Sequence, residues 1–297
     1  MATLNDEVKM DMRYERENLL NIMIPDIDPN YFLPVGIIKN LARIEELSKR
    51  HPVNVMVVGK QGCGKSSLVK QFAAYYKRPL STFQIGLLSE PGQLFGEKGL
   101  KKGNTFFEEF LFPKAISTSR SIIHLEEINR PEHPKALNDL FSVLSEDRSI
   151  WVEGLGLVKV ADEVIFFATL NEGAEFTGID MVDAALRDRF YIIQVDYPPP
   201  NIEEEIICSK TGVSREIAKK IVNIVNLLRN NAQMPLSVST RHSLMIAELA
   251  SEGANIREAL VYSIQIEKSI LETALISLHL GEGEEEVIDN HNYVRYV

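Results

Sequence analysis

The residues best suited to chemistry lie in a glycine-rich stretch that begins at Val53, VNVMVVGKQGCGKSSLVK. Gly59, Gly64, Lys65 and Ser66 occupy the fixed places of the spacing G-x-x-x-x-G-K-[ST]. Glycines at these places let the backbone turn so tightly that successive N–H groups point at one phosphate. The lysine of such a loop reaches the β- and γ-phosphates, and the next hydroxyl completes a Mg²⁺ site. The spacing therefore predicts a site for a nucleoside triphosphate with Mg²⁺.

Three neighbouring residues are predicted to complete the phosphate-binding stretch. Gly62 adds a flexible position, Cys63 stands where any small residue serves, and Ser67 follows at the start of a helix. That helix would direct the positive end of its dipole at the phosphates. The alternative is a glycine-rich turn that only happens to precede a helix. The apolar strand Val53–Val58 before the turn and the helical run after it favour the phosphate site.

Two glutamates at the end of another apolar strand are candidates for hydrolysis. Glu126 and Glu127 follow the apolar run Ser121–Leu125 at once. Ligands of open α/β sheets sit at the carboxyl ends of the strands. We expect Glu126 to stand near Mg²⁺, holding it through water, and Glu127 to polarise the attacking water. The alternative is a solvated pair of glutamates.

Three polar residues farther along the chain are candidates for the γ-phosphate. Asn171 follows the next apolar strand, where its amide could hold the nucleophilic water, although asparagine there is also typical of a turn. Arg187 and Arg189 lie in LRDRF, before the last predicted strand. An arginine that stabilises transferring phosphoryl charge is often supplied by a neighbouring subunit. A surface salt bridge is the alternative for both arginines.

Arg241 and His124 receive opposite interpretations. Arg241 opens a helix that Ser239 or Thr240 would cap, and it could report loss of the γ-phosphate to the second half of the chain. His124 has no partner histidine at metal-binding spacing. We therefore expect it to be a packed strand residue and not a metal ligand.

Composition restricts the class of protein. The chain has 297 residues and a net charge of −10, with 45% hydrophobic and 25% charged residues, which predicts about two globular domains. No sequence-wide basic surface recruits nucleic acid, which disfavours that partner without excluding it. No apolar run reaches membrane length, and the polar start of the chain does not read as a signal peptide. Cys63 and Cys208 form no disulfide framework, so we expect a cytoplasmic protein with reduced thiols.

Strands and helices alternate through the first two thirds of the chain. This order predicts an α/β fold with a parallel sheet flanked by helices. The predicted strands are Val53–Val58, Thr82–Ile85, Ser121–Leu125, Val164–Ala168 and Tyr191–Val195, with a β-hairpin at Ile150–Val160. The predicted helices are Ile37–Lys49, Ser67–Tyr76, Phe106–Ser117, Pro134–Ser145 and Met181–Arg187.

The prolines of Tyr197–Pro200 end this pattern and mark a domain boundary near Asp196–Asn201. Helical periodicity then runs through Asn201–Ser209, Ser214–Arg229, Thr240–Glu252 and Ile256–Leu280. We predict an N-terminal arm at 1–24, an α/β nucleotide-binding domain at 25–196, an all-helical lid at 197–280 and an acidic, polar tail at 281–297. A solvated, weakly ordered end is expected for the tail.

With these elements in order, the chain resembles the AAA+ ATPases, and within them the MoxR branch. GKQGCGKSS resembles Walker A, IIHLEEINR Walker B, ATLNEG sensor 1 and ALRDRF the arginine-finger segment. The hairpin IWVEGLGLVKV and Arg241, as sensor 2 of the lid, also match the family. The closest resemblance is to the CbbQ/NorQ group, through the PVG lead-in at Pro34, the DYPPP-x-x-E-x-EI joint at Asp196 and a lid that begins with STR. It covers about Tyr31 to Leu280.

The resemblance implies a ring, a hexamer, with ATP and Mg²⁺ between subunits. Arg189, with Arg187 as a second candidate, would act on the neighbour's nucleotide. Such proteins typically work with a partner that bears a von Willebrand factor A domain, and together they activate or remodel a client enzyme. Rubisco and nitric oxide reductase are the clients of the named relatives.

One departure from the family and one glycine-rich stretch leave alternatives open. The family usually has Asp-Glu in Walker B, so Glu126 could weaken the Mg²⁺ geometry and make the ring a nucleotide-gated scaffold. The stretch Gly86–Gly103 matches the family's helix-2 insertion, which would face the pore, but it also fits a mobile surface loop. A nucleic-acid-translocating or phage-encoded AAA+ motor is the other alternative function.

Overall fold

A parallel sheet lies at the centre of the computed structural model, which describes residues 24–101, 104–131, 134–171, 183–230, 238–264, 269–272, 276 and 293–296. The strands are β1 (Phe32–Pro34), β2 (Val53–Gly59), β3 (Leu80–Gln84), β4 (Gly96–Lys101), β5 (Asn104–Glu109), β6 (Ile122–Glu126), β7 (Ser149–Val152), β8 (Gly156–Lys159), β9 (Ile165–Asn171), β10 (Tyr191–Gln194) and β11 (Tyr293–Arg295). The helices are α1 (Val35–Ser48), α2 (Lys65–Tyr75), α3 (Leu111–Ile116), α4 (Asn138–Val143), α5 (Ala184–Arg187), α6 (Pro200–Thr211), α7 (Arg215–Arg229), α8 (Thr240–Ser251) and α9 (Ile256–Ser263). A short 3₁₀ turn, Pro134–Leu137, precedes α4.

The five central strands run parallel in the order β10-β2-β9-β6-β3. Every residue of β2 is buried because helices cover both faces of the sheet. Alternate residues face opposite sides, so Val55 and Val57 pack with α1 and α2, whereas Met56 and Val58 pack with α3 and α4. This arrangement confirms the predicted α/β core.

The register brings the ends of four strands to one edge of the sheet. Gly59 at the end of β2 pairs with Asn171 of β9, and Gln84 at the end of β3 pairs with Glu126 of β6. This is the carboxyl edge, where ligands of open α/β sheets bind. Three predicted site residues, Gly59, Glu126 and Asn171, therefore lie on neighbouring strand ends, and Glu127 directly follows β6.

Two antiparallel hairpins extend from this core. The predicted hairpin near residue 150 is present as β7 and β8, but the predicted helix Phe106–Ser117 is wrong in its first half. Residues 104–109 form β5, because they pair along their whole length with β4 inside the glycine-rich stretch. Helix α3 begins only at Leu111.

Helices α6 to α9 pack together in the described part of the lid, where residues 269–272 are also helical. Pro200 stands at the first turn of α6, Gly212 ends that helix in a left-handed conformation, and Ser214 caps α7. Their apolar sides share one core, which includes Ile207, Ile221, Val225, Ile246 and Leu260. The prediction of one helix from Ile256 to Leu280 is wrong, because Ile264 adopts an extended conformation and buries its side chain in the lid core. Within the described ranges, no helix is both long and apolar enough to cross a membrane.

The end of the chain returns to the core. Strand β11 pairs antiparallel with β1, and Tyr296 buries its ring, stacked on Tyr75 of α2. The prediction of a solvated, weakly ordered end is therefore wrong for residues 293–296, because aromatic burial and strand pairing hold them. The predicted arm at 1–24, except residue 24, and the acidic residues 281–292 lie outside the described residues.

Candidate nucleotide-binding site

The glycine-rich turn joins β2 to α2 and has the backbone that phosphate binding needs. Gly62 and Gly64 have φ angles of 71° and 98°, in the left-handed region that favours glycine. A Cβ on Gly59 would lie 2.0 Å from the carbonyl oxygen of Val195, so this place admits no side chain. The turn therefore fits a cradle of main-chain N–H groups at the start of a helix.

Lys65 lies inside this cradle with 7% of its surface exposed. Its Nζ donates to the carbonyl oxygens of Gly59, at 2.9 Å, and Lys60, at 2.7 Å. Burial lowers the pKa of Lys65; Glu127 opposes this shift, and Arg241 of the lid adds to it. The ammonium group thus lies where the predicted phosphates would bind, and both Glu127, at the carboxyl edge of the sheet, and Arg241, in the lid, influence its pKa.

Cys63 and Ser67 flank the cradle differently. The Cys63 thiol is buried, its Sγ lies 3.5 Å from the carbonyl oxygen of Val195, and burial raises its pKa. It is therefore a packed thiol and not a nucleophile. Ser67 is exposed on the first turn of α2.

The residues predicted to hold Mg²⁺ are in contact. Ser66 Oγ donates to Glu126 Oε1 at 2.6 Å, and Gln84 Nε2 donates to Glu126 Oε2. A hydroxyl and a carboxylate are hard oxygen donors of the kind Mg²⁺ takes together with phosphates and water. In the described ranges no cluster of three or more His, Cys, Asp or Glu side chains offers a different metal site. The donor set fits Mg²⁺ bound together with a nucleotide.

Glu127 is held in an unusual conformation next to this pair. Its φ is 55°, a left-handed value that is strained for a residue with a side chain. Its N–H donates to Thr169 Oγ1 at 3.4 Å, Asn171 Nδ2 lies 3.3 Å from Oε1, and Arg130 Nη1 lies 3.3 Å from Oε2. The two predicted water-positioning side chains, Glu127 and Asn171, are thus brought together.

His124 is a packed residue of β6, as its lack of a partner histidine predicts. It is 1% exposed, and its ring lies 3.2 Å from Thr169 Oγ1 and 3.4 Å from Thr82 Oγ1. Burial lowers its pKa to about 4, so the ring is neutral near pH 7. It supports the threonine beneath Glu127.

The two candidate finger arginines lie in different surroundings. Arg189 is half-buried, donates to the Ala185 carbonyl oxygen and places its guanidinium 5.1 Å from the Phe141 ring centroid. Arg187 is exposed at the end of α5, and its side chain has no ion-pair or hydrogen-bond partner among the described residues. Neither side chain contacts Glu126 or Glu127 in its own chain.

The lid meets the cradle at the start of α8. Ser239 caps this helix in a reciprocal arrangement with His242, and a Cβ on Gly62 would lie 2.4 Å from the Ser239 Cβ. Arg241, two residues on, is exposed and close enough to influence Lys65. The predicted lid arginine is therefore on the side of the lid that faces the phosphate-binding turn.

Two tyrosines near the cradle were missed by the sequence reasoning. Tyr31 Oη donates to the Gly64 carbonyl oxygen at 3.0 Å, and Tyr197 Oη donates to that of Gln61 at 2.9 Å. Tyr197 lies in the DYPPP joint, but no spacing in the sequence relates it to residue 61. The hydroxyl-to-carbonyl contacts depend on the tertiary fold and leave no local signal.

Comparison with known proteins is consistent with this geometry. Residues 54–190 match the family described as AAA domain (dynein-related subfamily), and residues 203–270 match CbbQ/NirQ/NorQ C-terminal. BssE of Thauera aromatica, named as a candidate chaperone, is 54% identical over 92% of this chain and 96% of its own length. Protein NorQ of Paracoccus denitrificans is 26% identical over 79% of this chain and 86% of its own.

A solved structure supports the fold. The Holliday junction branch migration motor RuvB of Thermotoga maritima superposes with a TM-score of 0.51 over 89% of this chain and 76% of its own, at 16% identity. At that identity the likeness shows the fold alone. Because BssE is similar over nearly its whole length and both family matches follow in chain order, the chain belongs to the MoxR branch of the AAA+ ATPases, close to the CbbQ/NorQ group.

Proposed function

We propose that this chain binds ATP with Mg²⁺ at the glycine-rich turn and hydrolyses it between the subunits of a hexameric ring. The free energy of ATP hydrolysis drives the remodelling or activation of a client protein complex in the cytoplasm, and a partner that carries a von Willebrand factor A domain takes part. The observation that carries the proposal is the contact of Asn171 with Glu127 next to the Ser66–Glu126 pair. The similarity to BssE supports chaperone-like work.

Each side chain of the site has a proposed role. Lys65 and the N–H groups of the turn neutralise the phosphates, and Ser66 and Glu126 hold Mg²⁺, the latter through water. Mg²⁺ supplies charge neutralisation on the phosphate oxygens. Glu127 takes the proton of the attacking water, and Asn171 orients that water.

The ring is proposed because one chain provides an incomplete site. Neither Arg187 nor Arg189 contacts Glu126 or Glu127 within the described part of the chain. An arginine supplied by a neighbouring subunit can accelerate phosphoryl transfer by about 10³–10⁵-fold. Arg187 or Arg189 would complete the neighbour's site, and Arg241 would act from the lid.

The test combines hydrolysis, assembly and capture. We expect ATP-dependent rings in negative-stain images, Mg²⁺-dependent phosphate release and recovery of a von Willebrand factor A partner from the source cells. Strong stimulation of hydrolysis by DNA or RNA, with no protein partner recovered, would instead favour a nucleic-acid motor.

A second candidate is a nucleotide-gated scaffold, because Glu126 stands where the family usually has aspartate and its longer side chain contacts Ser66 directly. In that case Mg²⁺ would be held too loosely for turnover, and nucleotide would control assembly alone. Wild-type rings that form with ATP but release phosphate no faster than Glu127→Gln would identify the scaffold.

A further inference from the structure

Tyr197 touches the phosphate-binding turn and the lid at the same time. Its hydroxyl donates to the Gln61 carbonyl oxygen at 2.9 Å. Its ring lies 4.2 Å, centroid to Cζ, beneath the guanidinium of Arg229, at the end of α7. An arginine at that distance from an aromatic face is attracted by the ring's electrons. One side chain therefore joins a peptide unit of the turn to a charged residue of the lid.

Arg229 is fixed in place by a buried ion pair. Its two terminal nitrogens each lie 2.7 Å from one carboxylate oxygen of Glu203 on α6. The Arg229 side chain is 9% exposed and the Glu203 side chain is fully buried. A paired, two-point contact of this kind has one preferred geometry, and losing either partner leaves an uncompensated buried charge. The Arg229 guanidinium plane that covers the Tyr197 ring is therefore held in one position.

The same ion pair holds the start of α8. Arg229 Nε donates to the Val238 carbonyl oxygen at 2.9 Å, and Nη2 lies 3.3 Å from Thr240 Oγ1. Ser243 Oγ donates to Glu203 Oε1 at 2.7 Å. These contacts lie on both sides of Arg241 in the sequence, so the ion pair fixes the position of the helix start that carries Arg241.

We infer that Tyr197 is a positioning residue that couples the phosphate-binding turn to Arg241 through the Arg229–Glu203 pair. A shift of the Gln61 peptide when phosphate binds displaces the Tyr197 hydroxyl, and the rigid ion pair transmits that displacement to the start of α8. The inference rests on the proposed function, because Arg241 is assigned to the γ-phosphate there. A purely structural role for Tyr197 would hold the two halves together without linking their responses.

A double-mutant cycle separates the two possibilities. Tyr197→Phe removes the bond to the turn and keeps the ring beneath Arg229. Tyr31→Phe is the matched control, because it also removes a tyrosine hydroxyl from a carbonyl of the turn, at Gly64, but has no contact with the ion pair. Each is combined with Arg241→Ala. The affinity for a non-hydrolysable ATP analogue with Mg²⁺ is measured by titration, and thermal unfolding confirms that each variant folds.

We expect Tyr197→Phe to weaken ATP-analogue binding about fivefold, the usual effect of one neutral hydrogen bond, and less than about twofold once Arg241 is alanine. The control Tyr31→Phe should cost the same factor in both backgrounds. With ADP, which lacks the γ-phosphate, the cost of Tyr197→Phe should not depend on Arg241. Arg229→Lys keeps the charge opposite Glu203 but loses the planar fork and should reproduce the coupling loss.

An equal cost of Tyr197→Phe with and without Arg241 would overturn the coupling while leaving the proposed nucleotide site intact. A wild-type chain that binds neither ATP analogue nor ADP would instead remove the proposed function, and the coupling with it.

Discussion

Arg187, at the end of α5, and Arg189, two residues after it, lead to opposite predictions for their alanine variants. Arg189 is held by its own chain, through the Ala185 carbonyl oxygen and the Phe141 ring, whereas Arg187 is exposed and unpaired within the described residues. A side chain that must reach the nucleotide of a neighbouring subunit cannot also be held by strong contacts within its own chain. We therefore predict that Arg187 supplies the charge in trans and that Arg189 mainly supports the fold.

Arg187→Ala should affect turnover, whereas Arg189→Ala should mainly affect stability. Arg187→Ala should lower turnover by about 10³-fold or more while ATP affinity and thermal stability remain unchanged. Arg189→Ala should lower the free energy of unfolding by about 1–2 kcal/mol, from one cation–π contact and one hydrogen bond at a half-exposed site. Its turnover should fall much less than that of Arg187→Ala.

Mixing two inactive variants tests the trans role directly. Arg187→Ala subunits keep Glu127, and Glu127→Gln subunits keep Arg187. In rings assembled at random from equal amounts of the two variants, half the sites retain Glu127, and half of those have a neighbour that retains Arg187. About a quarter of the wild-type turnover should therefore return. Absence of any recovery in rings shown to be mixed would refute a contribution from the neighbour, and loss of ATP binding in Arg187→Ala would point to a role in its own site.

Three further predictions concern the turn, the metal and the lid. Lys65→Ala should weaken ATP binding at least about 100-fold by titration, and unchanged affinity would mean that the turn does not hold phosphate. Glu126→Asp should keep or raise turnover, and loss of Mg²⁺-dependent binding would contradict its role. Burial, with Arg241 nearby, lowers the pKa of His242. Its neutral ring stabilises the fold by accepting a hydrogen bond from the Ser239 N–H. This stabilisation is complete above about pH 6.5 and is lost as pH falls towards the lowered pKa. Thermal unfolding should show a smaller loss in His242→Gln, which keeps a capping side chain, than in wild type, because the lowered pKa of buried His124 contributes a loss to both.

The core of the fold could be predicted from local pattern because its signals are local. The continuous apolar run of β2 requires burial on both faces, and the glycines and Lys65 follow it at fixed spacing. Strand β5 was mistaken for helix because its pairing with β4 depends on a hairpin and not on periodicity. Strand β11 was missed because its partner, β1, lies more than 250 residues away in the sequence.

The candidate site divides in the same way. Ser66, Glu126, Glu127 and Asn171 were predicted because each follows a buried strand or a glycine turn, and strand order brings such ends together. The contact of Tyr197 with the turn depends on how the lid folds back on the core. Contacts between residues that are far apart in the chain have no local sequence pattern from which they could be predicted.

The central claim is that the turn holds a triphosphate whose hydrolysis depends on Glu127. The most direct measurement compares bound Mg²⁺–ATP per subunit and the rate of phosphate release in wild type and Glu127→Gln. Glu127→Gln should bind ATP as tightly as wild type and release phosphate at least about 100-fold more slowly. Phosphate release by Glu127→Gln at the wild-type rate, or failure of the wild-type chain to bind ATP, would contradict the claim.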